Sequence, residues 1–146
     1  MAPTVDCGYE NASLLSLHGP SILVQIGFDL NYRQGLKPLL PSPGYRALID
    51  TGAVECCIDT SVARSLGLPV VDTGDIAGVH GFGQVQIHLA QIYVPELNYT
   101  TSGRFAGVHL HASGQPYGAL LGRSLLRDFN LEYNGRTGAV TISSTD

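Results

Sequence analysis

ALIDTGAVE, residues 47–55, sets one carboxylate inside an apolar run. Ala47, Leu48 and Ile49 precede Asp50, and Ala53 and Val54 follow Gly52, which predicts a carboxylate at the end of a buried strand. A carboxylate there is costly unless it is hydrogen-bonded or functional. The same tripeptide returns in VVDTGDIAG, residues 70–78. There a second acid, Asp75, follows at once, which suits a solvated turn in which Asp72 accepts local amide bonds and Gly74 supplies a positive φ. An isolated Asp-Thr-Gly is weak evidence, since chance places it in roughly a few per cent of chains this long. Context separates the two copies, and it favours Asp50.

The bulk of the chain narrows the possibilities. With 146 residues, 44% of them apolar and 14% charged, it fits a single globular domain and leaves no room for a second catalytic lobe. A formal charge of -4 argues against a nucleic-acid surface. No apolar run reaches about 18 residues, and MAPTVDCGYE lacks a basic start followed by an apolar core, so a soluble, cytoplasmic protein with no membrane partner is expected. Cys7, Cys56 and Cys57 are an odd number of thiols, two of them adjacent, which suits a reducing compartment and buried, inert cysteines.

Alternation and punctuation outline the elements. SILVQIG (21–27) and Tyr45–Ile49 read as strands on either side of a Pro- and Gly-rich loop at 35–44. Asp59 or Thr60 caps a short helix over TSVARSL, which Gly67 ends. QVQIHLAQIYV (84–94) alternates at its start, with Val85, Ile87 and Leu89 on one face. A strand is expected at 104–112, then a short helix at RSLLRDF, and a hairpin around Asn134-Gly135. His109 and His111 would share a strand face, but no Cys or acid stands at ligand spacing, so no metal and no cofactor is expected.

Two later segments set Asp50 in context. IAGVHGFGQ (76–84) is a Gly-rich tip leading into an alternating strand, the pattern of a hairpin lid that closes over a ligand. ALLGRSLL (119–126) runs an apolar strand into Gly122, where a backbone can approach closely, and then into a helix. The order of IDTGA, Gly-rich tip and LLGRSLL resembles the retropepsin-like aspartic proteases, the superfamily of the retroviral proteases and their cellular relatives. The resemblance spans residues 20–143; the domain is taken as 20–146, with 1–19 as an N-terminal extension. The helix at Ser61–Leu66 followed by Gly67-Leu68 is more similar to the bacterial and DNA-damage-inducible-type cellular members than to the viral enzymes.

What the resemblance implies is an all-β, retropepsin-like closed barrel or sandwich of a single lobe, with two short helices and a flap hairpin. It implies an aspartic endopeptidase acting on a peptide or protein substrate, with Asp50 catalytic and Thr51 and Gly52 supporting the site. Gly52, Ala53, Ala77, Gly78, Val79 and Leu120 would bind substrate, with ordinary core packing an equal reading for Leu120. Two carboxylates are needed for this chemistry and the chain supplies one, so a homodimer that joins Asp50 to its copy is expected. Such a pair shares one proton, and because Ala53 offers it no hydroxyl, the optimum is expected at mildly acidic to near-neutral pH. Val54 stands where the viral enzymes carry an Asp that pairs with the Arg of the Gly-Arg segment, which leaves Arg123 to another partner, Glu55 being nearest. His80, on the hairpin tip, is the one histidine whose protonation would bear on a cleft. The alternative is a noncatalytic dimer of the same fold that binds peptides or serves assembly.

Overall fold

Alternating branched residues build the central sheet. In the strand Ser21–Gly27, Ile22, Val24 and Ile26 are buried while Leu23 is exposed and Gln25 half-exposed, the period of two that points every second side chain inward. The computed structural model describes residues 3–42, 44–78 and 81–145. Along the chain run β1 (Thr4–Asp6), α1 (Ala12–His18), β2 (Ser21–Gly27), β3 (Tyr45–Ile49), β4 (Cys57–Asp59), α2 (Thr60–Ser65), β5 (Val70–Gly78) and β6 (Gly81–Val94). Then come β7 (Tyr99–Val108), β8 (Ala119–Leu121), α3 (Arg123–Leu126), β9 (Phe129–Tyr133) and β10 (Val140–Ser144).

One sheet has the order β2-β3-β8-β4-β7-β6-β5. β2 pairs with β3 through Ser21–Val24 and with β6 through Gln25–Gly27, so the sheet closes on itself and β5 extends from the β6 edge. Ile22, Val24, Ile26, Ala47, Ile58, Ile92, Val94, Ala119 and Leu121 fill the interior, all at 1% exposure or less. Fully burying a side chain of the Val, Leu or Ile class contributes roughly 1.5–3 kcal/mol, so this ring carries much of the stability. The closed, mostly β architecture is the one expected.

A second, three-stranded sheet, β1-β10-β9, joins the two ends of the chain, with Val5 opposite Ile142. Helix α1 packs beside it through buried Leu15, and Asn11 caps the helix by accepting the Leu14 amide at 2.9 Å. Val5, Cys7 and Leu15 lie in the same core as the barrel, so the first described residues pack on the barrel core. Gly138 permits this closeness: its φ is +86°, and a Cβ there would sit 2.2 Å from the Asn11 carbonyl oxygen. Among the described residues three α-helices are present where two were expected, because α1 buries only Leu15 and so carries no apolar stripe. No helix among the described residues is long and apolar enough to cross a membrane.

Three expectations about local structure need correction. Asp72-Thr73-Gly74 is not a turn but lies within β5, paired with Ile87, Gln86 and Val85 of β6; the long ladder and its β-branched neighbours outweigh the turn preference of Asp and Gly. The strand expected at 104–112 runs instead from Tyr99 to Val108, so His109 and His111 follow it and do not share a strand face. They hydrogen-bond the start of α2, His109 Nδ1 to Thr60 Oγ1 at 3.0 Å and His111 Nδ1 to Ser61 Oγ at 3.1 Å. The hairpin expected around Asn134-Gly135 is present as the antiparallel pair β9 and β10, with Val140 opposite Tyr133 and Asn134 Oδ1 collecting the amides of Arg136 and Thr137 in the connection. The third correction concerns Arg123, within the site itself.

Candidate active site

The loop 50–56 owes its shape to β8. This strand lies between β3 and β4, parallel to the first (Ile49 opposite Leu121) and antiparallel to the second (Cys57 opposite Leu120). The chain that leaves β3 must therefore pass the end of β8 before it enters β4. Three backbone bonds pin the passage: the Asp50 amide donates to the Leu121 carbonyl at 2.9 Å, and the carbonyls of Ala53 and Val54 accept the amides of Arg123 and Ser124 at 2.9 and 2.8 Å. The first amides of a helix have no partner inside it. Here the loop supplies partners for two of the orphan donors of α3, so each element completes the other.

Gly122 is where the two touch. A Cβ at this position would lie 2.5 Å from the Glu55 carbonyl oxygen and 2.7 Å from its carbon, a collision with backbone that cannot move aside. Arg123 then reaches along the loop, its Nη1 donating to the Thr51 carbonyl at 2.6 Å. Glu55 is thus not its partner: the acceptor is a main-chain oxygen of the tripeptide itself, closer along this path than the Glu55 carboxylate.

Within the tripeptide, the Gly52 amide donates to Asp50 Oδ1 at 2.9 Å and the Ala53 amide to the Asp50 carbonyl at 3.2 Å. Asp50 is half-buried behind Ile49, whereas Thr51 and Gly52 are exposed and Ala53 is half-buried. Among the described residues, Asp50 Oδ2 and the Thr51 hydroxyl have no hydrogen-bond partner. The result is a carboxylate with one oxygen fixed and the other open, on a loop held at both ends. Leu120 is half-buried between Ala119 and Leu121, which both face the core, so it lies on the other face of the sheet with Leu48.

Asp50, Thr51, Gly52, Ala53 and Leu120 are therefore brought together by the β3–β8 pairing. Ala77 and Gly78 are placed apart, at the end of β5 opposite Phe82 and Gly81 of β6. Val79 and His80 lie outside the described residues. Asp72 is exposed on β5, with Arg104 at 3.9 Å from its carboxylate.

Asp59 does structural work beyond the helix cap that its position suggested. Its side chain is 1% exposed. Oδ2 accepts the amides of Ser61 and Val62 at 3.0 and 3.1 Å and the Ser61 hydroxyl, while Oδ1 accepts the amides of Leu110 and His111, both at 2.9 Å. Burial by itself would push this carboxyl up; the bonds from Ser61, His111, Val62 and Leu110 outweigh it and hold the group down at about 2. One carboxylate thus ties β4 to α2 and to the chain beyond β7. The cap was visible as Asp-Thr-Ser before an apolar run; the clamp across some fifty residues had no local signal.

Burial pushes the Cys57 thiol up to about 11, with Cys56 and Asp50 adding to the effect, and pushes Cys56 up as well. Neither thiol behind the loop is poised as a nucleophile. Among the described residues no group of three His, Cys, Asp or Glu side chains is placed to hold a metal ion.

No protein-family model matches the chain, and no curated protein does. Among solved structures the chain is similar to the EIAV protease complexed with the inhibitor HBY-793, with 20% sequence identity over 75% of this chain and 86% of that one, at a TM-score of 0.47.

Proposed function

We propose that this chain is a retropepsin-like aspartic endopeptidase that acts as a symmetric homodimer on extended peptide segments. The observation that carries the proposal is the state of Asp50: Oδ1 is fixed by the Gly52 amide, Oδ2 is open, and the loop is locked by β8 and α3. A two-fold axis at this loop sets Asp50 against its copy, and two carboxylates in contact hold one proton between them. The ionised one takes a proton from a water molecule as that water attacks the scissile carbonyl, and the protonated one gives its proton to the carbonyl oxygen. Collapse of the tetrahedral intermediate breaks the C–N bond, with a proton passing to the departing nitrogen.

Other residues have supporting parts. The unpartnered Thr51 hydroxyl is free to bond across the axis. Gly52, where a Cβ would stand 3.1 Å from Asp50 Oδ1, keeps the carboxylate uncovered for a passing substrate backbone. The β5–β6 hairpin would lay Ala77, Gly78 and Val79 over the peptide, with Ala53 and Leu120 beneath it. The test is digestion of a diverse peptide mixture from about pH 4 to 8, spanning the range of a shared carboxylate proton, with products identified by mass spectrometry. Asp50→Asn should lower turnover by at least about a thousandfold while keeping the dimer, and Asp72→Asn should leave it unchanged. A folded, dimeric wild-type protein that cleaves nothing would overturn the reading in favour of a peptide-binding dimer.

A further inference from the structure

A second site lies away from the Asp50 loop. Between α2, the start of β5 and the adjoining parts of β6 and β7 is a cavity of about 420 Å³, on the scale of small-ligand pockets. Its described lining shares no residue with the loop 50–56 or with α3. Three basic side chains, Arg64, His88 and His109, line it, and no Asp or Glu does, in a chain whose net charge is -4. The remaining wall includes the apolar side chains of Ala63, Leu68 and Val70.

His88 breaks the alternation of its strand. The two residues that precede it on the same strand face, Gln84 and Gln86, are exposed, whereas His88 is 4% exposed and its Nδ1 is buried without a hydrogen-bond partner among the described residues. Gly107 makes room for the ring: a Cβ there would meet His88 Nε2 and Thr60 Cγ2, each at 3.2 Å. A buried polar atom left unpaired is costly, which marks His88 as a residue whose place in this wall the internal hydrogen bonds of the fold do not explain. Arg64 is also unpaired, since the ion pairs among the described residues are Arg104–Asp72 and His111–Asp59.

We propose that this cavity binds a small organic anion, a carboxylate on an apolar body, with Arg64 and His88 holding the carboxylate and Ala63, Leu68 and Val70 covering the rest. A carboxylate accepts from the guanidinium and from the imidazole nitrogen at once, and the apolar wall distinguishes such a ligand from a bare inorganic ion. The proposal is independent of any peptidase activity.

Octanoate is the probe and octanol its uncharged match. Titrated into the full-length protein, octanoate should move the backbone amide signals of residues 60–70, 84–88 and 107–109 saturably, with octanol at least about tenfold weaker. Arg64→Ala, at an exposed helix position, and His88→Leu, which removes the unpaired atom and should melt no lower than wild type, should each weaken octanoate by a similar factor. Absence of saturable shifts up to about 10 mM would overturn the proposal, as would equal binding of octanol or unchanged affinity in both variants.

Discussion

Replacing Asp59 by Asn changes one atom and should cost the fold several kcal/mol. The carboxylate receives two backbone amides on Oδ1 and two on Oδ2, so an amide side chain can serve one set and must turn its NH2 group toward the other. Two stranded donors at roughly 1–3 kcal/mol each put the loss at about 3–4 kcal/mol. The titration of the group reflects the same bonds: a carboxyl held at about 2 against an ordinary 3.8 corresponds to roughly 2–3 kcal/mol. Its side chain is 1% exposed, so solvent screening takes little from that figure. Because the folded-state value is depressed, this stability is present above about 3.8 and is lost as pH falls through 3.8 toward 2. Urea unfolding of wild type and Asp59→Asn at one protein concentration should therefore show a gap of about 3–4 kcal/mol near neutral pH that narrows by about 2 kcal/mol as pH falls to about 2. A neutral-pH gap below about 1 kcal/mol, or one that does not narrow in acid, would refute the clamp.

Gly122→Ala should destabilise the protein by about 2–3 kcal/mol in the same assay and displace the loop 50–56, because its Cβ would meet main-chain atoms of Glu55. Gly83→Ala, whose Cβ would meet nothing within 4 Å, is the neutral control. Cys56 and Cys57, buried and with thiols pushed up, should resist iodoacetamide in the native protein near pH 8 and react once urea exposes them; rapid native labelling would show that the wall behind the loop is open.

The strands were legible where one side of the chain faces the core and the other faces solvent. Ser21–Gly27 and Tyr45–Ile49 have the bounds that alternation and punctuation predict. β7 begins at Tyr99, five residues before its expected start, because Thr100, Thr101 and Ser102 are polar residues held by a ladder to β6 and not by burial. His88 reads as the solvent-facing member of an alternating strand; its burial depends on the missing side chain of Gly107, nineteen residues on, and no periodicity reveals that. Helix α1 leaves no periodic signal in the sequence, because Leu15 is its only buried residue, too little for a stripe.

The two Asp-Thr-Gly tripeptides mark the limit of local reading. Their neighbours predict opposite roles for the two copies, yet Asp72 lies in a ladder, exposed beside Arg104, and not in the turn that its neighbours suggest. What separates the copies is a strand seventy residues downstream. β8 enters between the strands on either side of Asp50, takes its amide, and through Gly122 and Arg123 anchors the loop that follows. Among the described residues no strand inserts beside Asp72, whose carboxylate accepts the Thr73 amide at 2.8 Å and lies 3.9 Å from Arg104. The LLGR segment was legible as a motif, but its physical meaning is topological: it is the strand and the glycine without which an apolar Asp-Thr-Gly would be a frayed strand end. On that argument, transplanting Asp50 chemistry to residue 72 is not a matter of flanking sequence, and no set of substitutions confined to residues 70–78 should rescue the peptidase activity proposed for the Asp50 site in an Asp50→Asn background.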